Sequence, residues 1–406
     1  MSLANTISTW SASPQPIPPP HIAAPEMAAL KLSNQTLRLA ATISLGGQKP
    51  RLVLSNLYGT APLKIDAAHV ALARPNGAIE PGSGHAVAFD GKPQVDIPPG
   101  AEWISDPVAF PVAPLSRLAV SLYFRGVTPV ATTHLDGHDT AYVAEGDRTG
   151  DATIAPSATM TAKPFLTGIR IDAPAAAKAI VAFGDSLTDG DGSTIDQARR
   201  WPDFLARRIV KAGLPLAIVN AGISGARLLA DGLGVNALAR FDRDVIAEPR
   251  VGAIICLIGL NDIGWPGTVL DPSARTPDAA ELIHGYRQLI GRAQAHGLRI
   301  IGATLTPFGE AFKGGPNEGF HTARKETVRL AVNGWIRTSG AFDGVIDFDA
   351  LARDPARPSR LKAEFNSGDN LHPNDAAYEA MAAAIDLGML MAGAWPLARG
   401  PGPPSA

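Results

Sequence analysis

Cysteine is almost missing from this chain. Its 406 residues hold one, Cys256, inside the apolar run "GAIICLIGL". A lone cysteine forms no internal disulfide and no Cys-rich zinc site, and in such a run it reads as an inert core residue. No apolar stretch reaches the ~18 residues of a transmembrane helix. The opening "MSLANTISTW" lacks a basic segment followed by an apolar one, so no signal peptide is visible. The protein is therefore expected inside the cell, or exported with its signal removed. Lys/Arg blocks are also missing and the net charge is −2, so neither nucleic acid nor a membrane surface is expected as a partner. No G-x-G-x-x-G follows an apolar strand, which argues against dinucleotide binding. No internal repeat is present, and nothing assigns an oligomeric state.

What is there is a globular composition, 46% hydrophobic and 18% charged, with 41 glycines and 35 prolines spread along the chain as turn chemistry. The length suggests two domains. Residues 1–30 are Pro-rich ("SPQPIPPP") and expected to run extended over a surface. From about 34 to 165 the runs are strand-sized: "TLRLAATI", "PRLVLSN", "AHVALA", "HAVAFD" and "RLAVSLYF", separated by turn residues. They predict an antiparallel sandwich. Near 172 the texture changes. After the connector "IDAPAAAKA", apolar strands at 179–183, 216–220, 252–258, 299–305 and 344–348 alternate with helices near 200–212, 235–247, 277–296, 321–339 and 374–391. Continuous apolar strands between helices predict a parallel sheet covered on both faces. The boundaries drawn are 1–172 for a β-sandwich domain with its Pro-rich lead-in, 173–396 for an α/β domain, and 397–406 for a disordered tail.

Ligands of such sheets bind beyond the carboxyl ends of the strands. There the sequence has "FGDSLTDG", then "NAGISGAR", "IGLND" and, before the last helix, "SGDNLHPND". These supply the residue types of an acyl-transfer site. Ser186 is a poor nucleophile until a base takes its proton. His372 titrates near neutrality and suits that task. Asp369, three residues earlier, can bind Nδ1–H, set the tautomer and stabilise the imidazolium. The backbone N–H groups of Ser186 and Gly225 and the amide of Asn261 can stabilise an oxyanion. Asp185 and Asp262 are read as supports that accept backbone N–H bonds. No cofactor and no metal is called for.

The blocks "GDSLTDG", "NAGISG", "GLND" and "DNLHP" resemble, in order, those of the SGNH (GDSL) hydrolase family. Ser186 matches the serine of the first block, Gly225 and Asn261 the oxyanion residues, and Asp369 and His372 the Asp-x-x-His pair. The resemblance covers roughly 178–392. It implies a flavodoxin-like three-layer α/β/α fold, hydrolysis of esters or thioesters through an acyl-serine, and no metal. "RRWPDFLA", "NGWIRTSGAFDGVIDFDA" and "SGDNLHPNDAAYEAMA" resemble a two-domain branch, in which an all-β, jelly-roll-like domain precedes the catalytic one. That branch includes enzymes associated with plant-polysaccharide esters. The resemblance thus implies a serine esterase removing short acyl groups, acetyl first, from a carbohydrate or other small ester. A lipase, lysophospholipase or thioesterase for longer chains is one alternative. An inactive glycan-binding protein is another.

Simpler readings stand beside these. Ser186 alone is also a favoured helix N-cap, and Asp369 is a weaker cap than Asn374. "DGDGSTIDQ" suggests a calcium loop, but an EF-hand starting at Asp189 needs a glutamate at its twelfth position, which is Arg200. His134 and His138 in "TTHLDGHDT" have ligand-like spacing, yet no Cys or acidic pattern completes a site, so a solvated loop is expected. His321 is expected at the surface. Trp201 reads as a packing aromatic ahead of Pro202, and Trp265 as packing or as a pocket wall.

Overall fold

In a computed structural model of the protein, residues 5–18 and 30–391 are described. The C-terminal half is built on five parallel strands. Across the sheet they run Leu216–Gly222, Lys178–Gly184, Val251–Leu257, Arg299–Ala303 and Gly344–Ile346. This is order 2-1-3-4-5, the flavodoxin-like doubly wound arrangement. The strands are nearly all apolar because both faces are covered. Helix Trp201–Lys211 packs with Asp375–Ala384, and Ala279–Ala295 packs with Ala323–Thr338. Trp201 is fully buried against Phe348, and Pro202 follows it in the first helical turn.

Two helices differ from expectation. The segment 235–247 is an α-turn, Ala237–Phe241, continuing as a π-turn, Asp242–Ile246. There Asp244 takes ion pairs from both Arg240 and Arg243. The segment 374–391 breaks at Ile385, whose ψ is 120°, giving Asp375–Ala384 and Leu387–Met391. Arg208 supplies the reason: its guanidinium donates to the carbonyls of Ala382 and Ile385 that the break frees.

The N-terminal half is strand-rich and antiparallel. One sheet orders Thr6–Ser11, Leu166–Asp172, Gln48–Ser55 and Glu102–Ile104. The other orders Ala158–Met160, Ala141–Glu145, Gln35–Thr42, Arg117–Phe124, Ala67–Leu72 and His85–Val87. Alternating residues of both sheets share one core, with Ile7, Leu54 and Ile169 from the first and Leu37, Leu39 and Val120 from the second. The lead-in does not lie on the surface as expected. Thr6–Ser11 is a buried strand paired with Leu166–Asp172, and Gln15–Pro16 pairs with Thr132–Thr133. Ile7 and Trp10 are three apart, so simple alternation does not give them one face; the pairing shifts register between Ser8 and Trp10, and both enter the core. Residues 1–4 and 19–29 of the lead-in and the 397–406 tail lie outside the described residues.

The two halves are joined along the sheet edge. Among the described residues, strand Leu216–Gly222 pairs with no strand on its outer side, yet every residue in it is buried. Thr6–Ser11 packs along it. Ser44 Oγ accepts the Ile218 N–H at 2.9 Å and lies 2.8 Å from the Ile218 carbonyl, while Ser11 Oγ donates to Asn220 O. Side chains of the β-rich half thus occupy an edge that would otherwise offer itself for pairing.

Candidate active site

The first parallel strand ends at Gly184, and the chain turns at once into a single helical turn, Ser186–Asp189. Asp185, not Ser186, is its N-cap, with its Oδ1 accepting the Leu187 N–H at 3.1 Å. Ser186 becomes the first helical residue, so its hydroxyl is free of the capping role. Its Oγ lies 3.0 Å from His372 Nε2.

His372 comes from the turn before helix Asp375–Ala384. Asp369 folds that turn by accepting the N–H groups of Leu371 (2.9 Å) and His372 (2.8 Å) at Oδ1. Its Oδ2 lies 2.5 Å from His372 Nδ1. A carboxylate there accepts Nδ1–H, which leaves the Nε2 lone pair facing Ser186. Asn374 caps the helix that follows through the Ala377 N–H. Burial pushes the Asp369 carboxyl up, but the bonds from His372 and the two backbone N–H groups outweigh it and hold it at about 2. Burial works against the His372 imidazolium. The Asp369 hydrogen bond and the charges of Asp191, Asp369 and Asp185 win, and its pKa is raised.

Gly225 sits opposite, in the loop after Leu216–Gly222. Its φ is +71°, and a Cβ there would lie 2.8 Å from Leu233 Cδ1 and 3.0 Å from Trp265 Cζ2. Both facts require glycine. Asn261, in the turn after the third strand, donates from Nδ2 to Ala226 O at 3.0 Å and accepts the Trp265 indole N–H at 3.2 Å. Each amide nitrogen has two hydrogens, so one remains for a ligand. Trp265 is therefore both buried packing and the residue that orients Asn261. Asp262 binds the loop carrying Gly225, accepting the N–H groups of Leu228 (2.6 Å) and Leu229 (2.8 Å). Burial lifts Asp262 to about 6 and Asp185 to about 7, against the N–H bonds that each accepts.

All of the residues singled out from the sequence for the site are thus brought to one end of the sheet. The expected solvated loop at His134 and His138 is not there. His134 is 3% exposed; its Nδ1 lies 3.0 Å from Ser13 O and its Nε2 2.9 Å from Asp189 Oδ1. His138 Nε2 lies 3.3 Å from Asp191 Oδ1. Each half of this contact was visible as a ligand-like pattern, "HLDGH" in one half and "DGDG" in the other. Pairing the two required the fold. Among the described residues, no group of three or more His, Cys, Asp or Glu forms a metal site. His321 is half-buried rather than at the surface, edge-on to Phe308 and near Glu326. Cys256 is buried, and burial pushes its thiol up to about 12.

Residues 182–380, which span all these side chains except those of the β-rich half, match the GDSL-like lipase/acylhydrolase family. This region is a GDSL-like lipase/acylhydrolase domain. No curated protein matches the chain. Similar solved structures include a lipase/acylhydrolase from Enterococcus faecalis, with 20% identity over 51% of this chain and 92% of that one and a TM-score of 0.39. An acetyl xylan esterase, AlAXEase, has 19% identity over 51% of this chain and 96% of its own, with a TM-score of 0.38. Est24, a carbohydrate acetylesterase from Sinorhizobium meliloti, has 14% identity over 51% of this chain and 95% of its own, with a TM-score of 0.39. The GDSL-like domain is an ester-cleaving acylhydrolase.

Proposed function

We propose that this acylhydrolase works through an acyl-serine, with Ser186 as nucleophile, His372 as general base and acid, and Asp369 as the carboxylate that orients His372. The observation that carries this reading is the continuous chain from Ser186 Oγ to His372 Nε2 (3.0 Å) and from His372 Nδ1 to Asp369 Oδ2 (2.5 Å). His372 takes the serine proton as Oγ attacks the ester carbonyl. The N–H groups of Ser186 and Gly225 and the free amide hydrogen of Asn261 receive the oxyanion. The tetrahedral species collapses, His372 protonates the departing alcohol, and water activated by the same imidazole releases the acid. Asp185 holds the serine turn, and Asp262 holds the loop of Gly225.

The acyl group we assign is short, acetyl first. Leu233 and Trp265 close on Gly225, and Ser186 is itself 5% exposed, which leaves little depth for a long chain. A carbohydrate or similar small alcohol as leaving group rests on the sequence resemblance to the two-domain branch. The test is hydrolysis of p-nitrophenyl esters from acetyl to dodecanoyl, with Ser186→Ala and His372→Ala in parallel. Acetyl preference with both variants inactive is the expected result. A preference for long chains would replace the short-acyl assignment, and a His372→Ala enzyme near wild-type activity would remove the triad.

A further inference from the structure

The oxyanion loop is held from outside the catalytic domain. Asp189, the last residue of the serine helix, is 1% exposed. Its Oδ2 accepts the Ser224 N–H at 2.9 Å, one residue before Gly225, and lies 3.1 Å from the Ser224 hydroxyl. That hydroxyl also lies 2.7 Å from Asp191 Oδ1. The other oxygen of Asp189 faces His134 Nε2. His134 in turn is fixed by the β-rich half: its backbone exchanges hydrogen bonds with Lys163, and its Nδ1 meets the Ser13 carbonyl. A carbonyl only accepts, so Nδ1 carries a proton; a carboxylate also accepts, so Nε2 carries one too. The pair is a buried imidazolium and carboxylate, with Asp136 the other acid acting on the ring. A second strut runs alongside. Buried Gln15 accepts the Leu135 N–H and donates to Leu233 O, and Leu233 is the side chain that walls Gly225.

We propose that His134 is a positioning residue for the oxyanion loop, acting through Asp189 on the Ser224–Gly225 segment, so that the β-rich half completes the active centre. This rests on the esterase reading for its kinetic consequence, though not for its structural one. A donor displaced by a fraction of an ångström from the oxyanion loses much of its value, because the hole works by being preorganised.

Two substitutions separate positioning from mere packing. The amide nitrogen of asparagine sits near the place of Nδ1, so His134→Asn keeps the bond to Ser13 O and loses Asp189. That of glutamine sits near Nε2, so His134→Gln keeps Asp189 and loses Ser13 O. With p-nitrophenyl acetate, His134→Asn is expected to lower kcat by about 10- to 100-fold at nearly constant KM, with His134→Gln within about threefold of wild type. Inhibition by a methyl trifluoromethyl ketone, which binds as a tetrahedral oxyanion, should weaken in step with kcat. Ser8→Ala, which removes a contact to Glu248 between the halves far from the loop, should leave kcat unchanged. Hydrogen exchange of the 222–228 segment reads the same positioning without any substrate: faster in His134→Asn, unchanged in His134→Gln. Were wild type to cleave no ester, the esterase reading would fall while exchange still decided this one. Equal losses in the two His134 variants, a loss in KM alone, unchanged exchange, or an equal effect from Ser8→Ala would each overturn the proposal. If His134→Asn does not fold, Asp189→Ala, which removes the bonds to both His134 and Ser224, takes its place, and wild-type exchange there also overturns it.

Discussion

Two carboxylates face the His372 ring from opposite ends. Asp369 binds Nδ1, and Asp191 Oδ2 lies 3.7 Å from Nε2. Together with Asp185 they raise the pKa of a buried imidazole above its ordinary 6.5. In its proposed role as general base His372 must be neutral, so activity should be lost as pH falls through that raised value. The acidic limb of kcat/KM should therefore have its midpoint above 6.5. Asp191→Asn removes one of the charges and should move that limb to lower pH. A limb that does not move would show that Asp191 exerts no field on the ring. Asn261→Ala should cost about 10²–10³ in kcat, with KM little changed, since in its proposed role its free N–H serves the oxyanion rather than the bound ester. An unaltered kcat would remove Asn261 from the hole. At this scale the sequence was most legible where neighbours along the chain do the work. Asp369 folds its own turn around His372, and Asp185 caps its own helix. His134 was not legible, because its partner Asp189 is 55 residues away.

The serine helix is one turn long and depends on its cap. Asp185 is buried, and its Oδ2 has no hydrogen-bond partner among the described residues, so the turn carries a carboxyl that burial lifts from 3.8 to about 7. The folded state holds a proton that the unfolded state releases near 3.8. The contribution of Asp185 is thus present at low pH and is lost as pH rises through about 7. Asp185→Asn keeps the capping oxygen without the charge. It should be more stable than wild type by a few kcal/mol at about pH 8, with a smaller gap at about pH 5 that closes only below the unfolded value of 3.8, in urea unfolding. A variant less stable at both values would show that the carboxyl itself is needed. The strands of the sheet were readable within a few residues, because burial on both faces leaves unbroken apolar runs. The break at Ile385 was not, since no proline or glycine marks it and the arginine that stabilises it, Arg208, belongs to another helix.

In the whole molecule, the β-rich half covers the sheet edge and, through His134 and Asp189, reaches the loop of Gly225. Ser44 does the first of these for Ile218, whose N–H and carbonyl both meet its hydroxyl in a buried place. Ser44→Ala leaves those groups without water or partner and should destabilise the protein by about 1–3 kcal/mol, measured by denaturant unfolding. A loss within error would mean that the edge relaxes onto other donors. Arg117 and Thr140 of the β-rich half also bind Asp196 in the loop after the serine helix, so that loop is clamped by the same partner. That an antiparallel, strand-rich part precedes a parallel sheet was readable from the change in hydrophobic pattern. The way the two parts meet was not.

The sequence by itself determined the parallel sheet, the antiparallel strands before it, and a set of chemical groups at the strand ends. Hydrophobic period and turn chemistry are local, and the Asp185–Ser186 and Asp369–His372 turns close on their own backbone. The tertiary structure alone decided that Thr6–Ser11 is a core strand and that the "HLDGH" loop is buried against Asp189. A histidine in a polar loop has the same neighbours along the chain whether water or a carboxylate faces it. Only the packing of distant segments removes the water and leaves the ion pair.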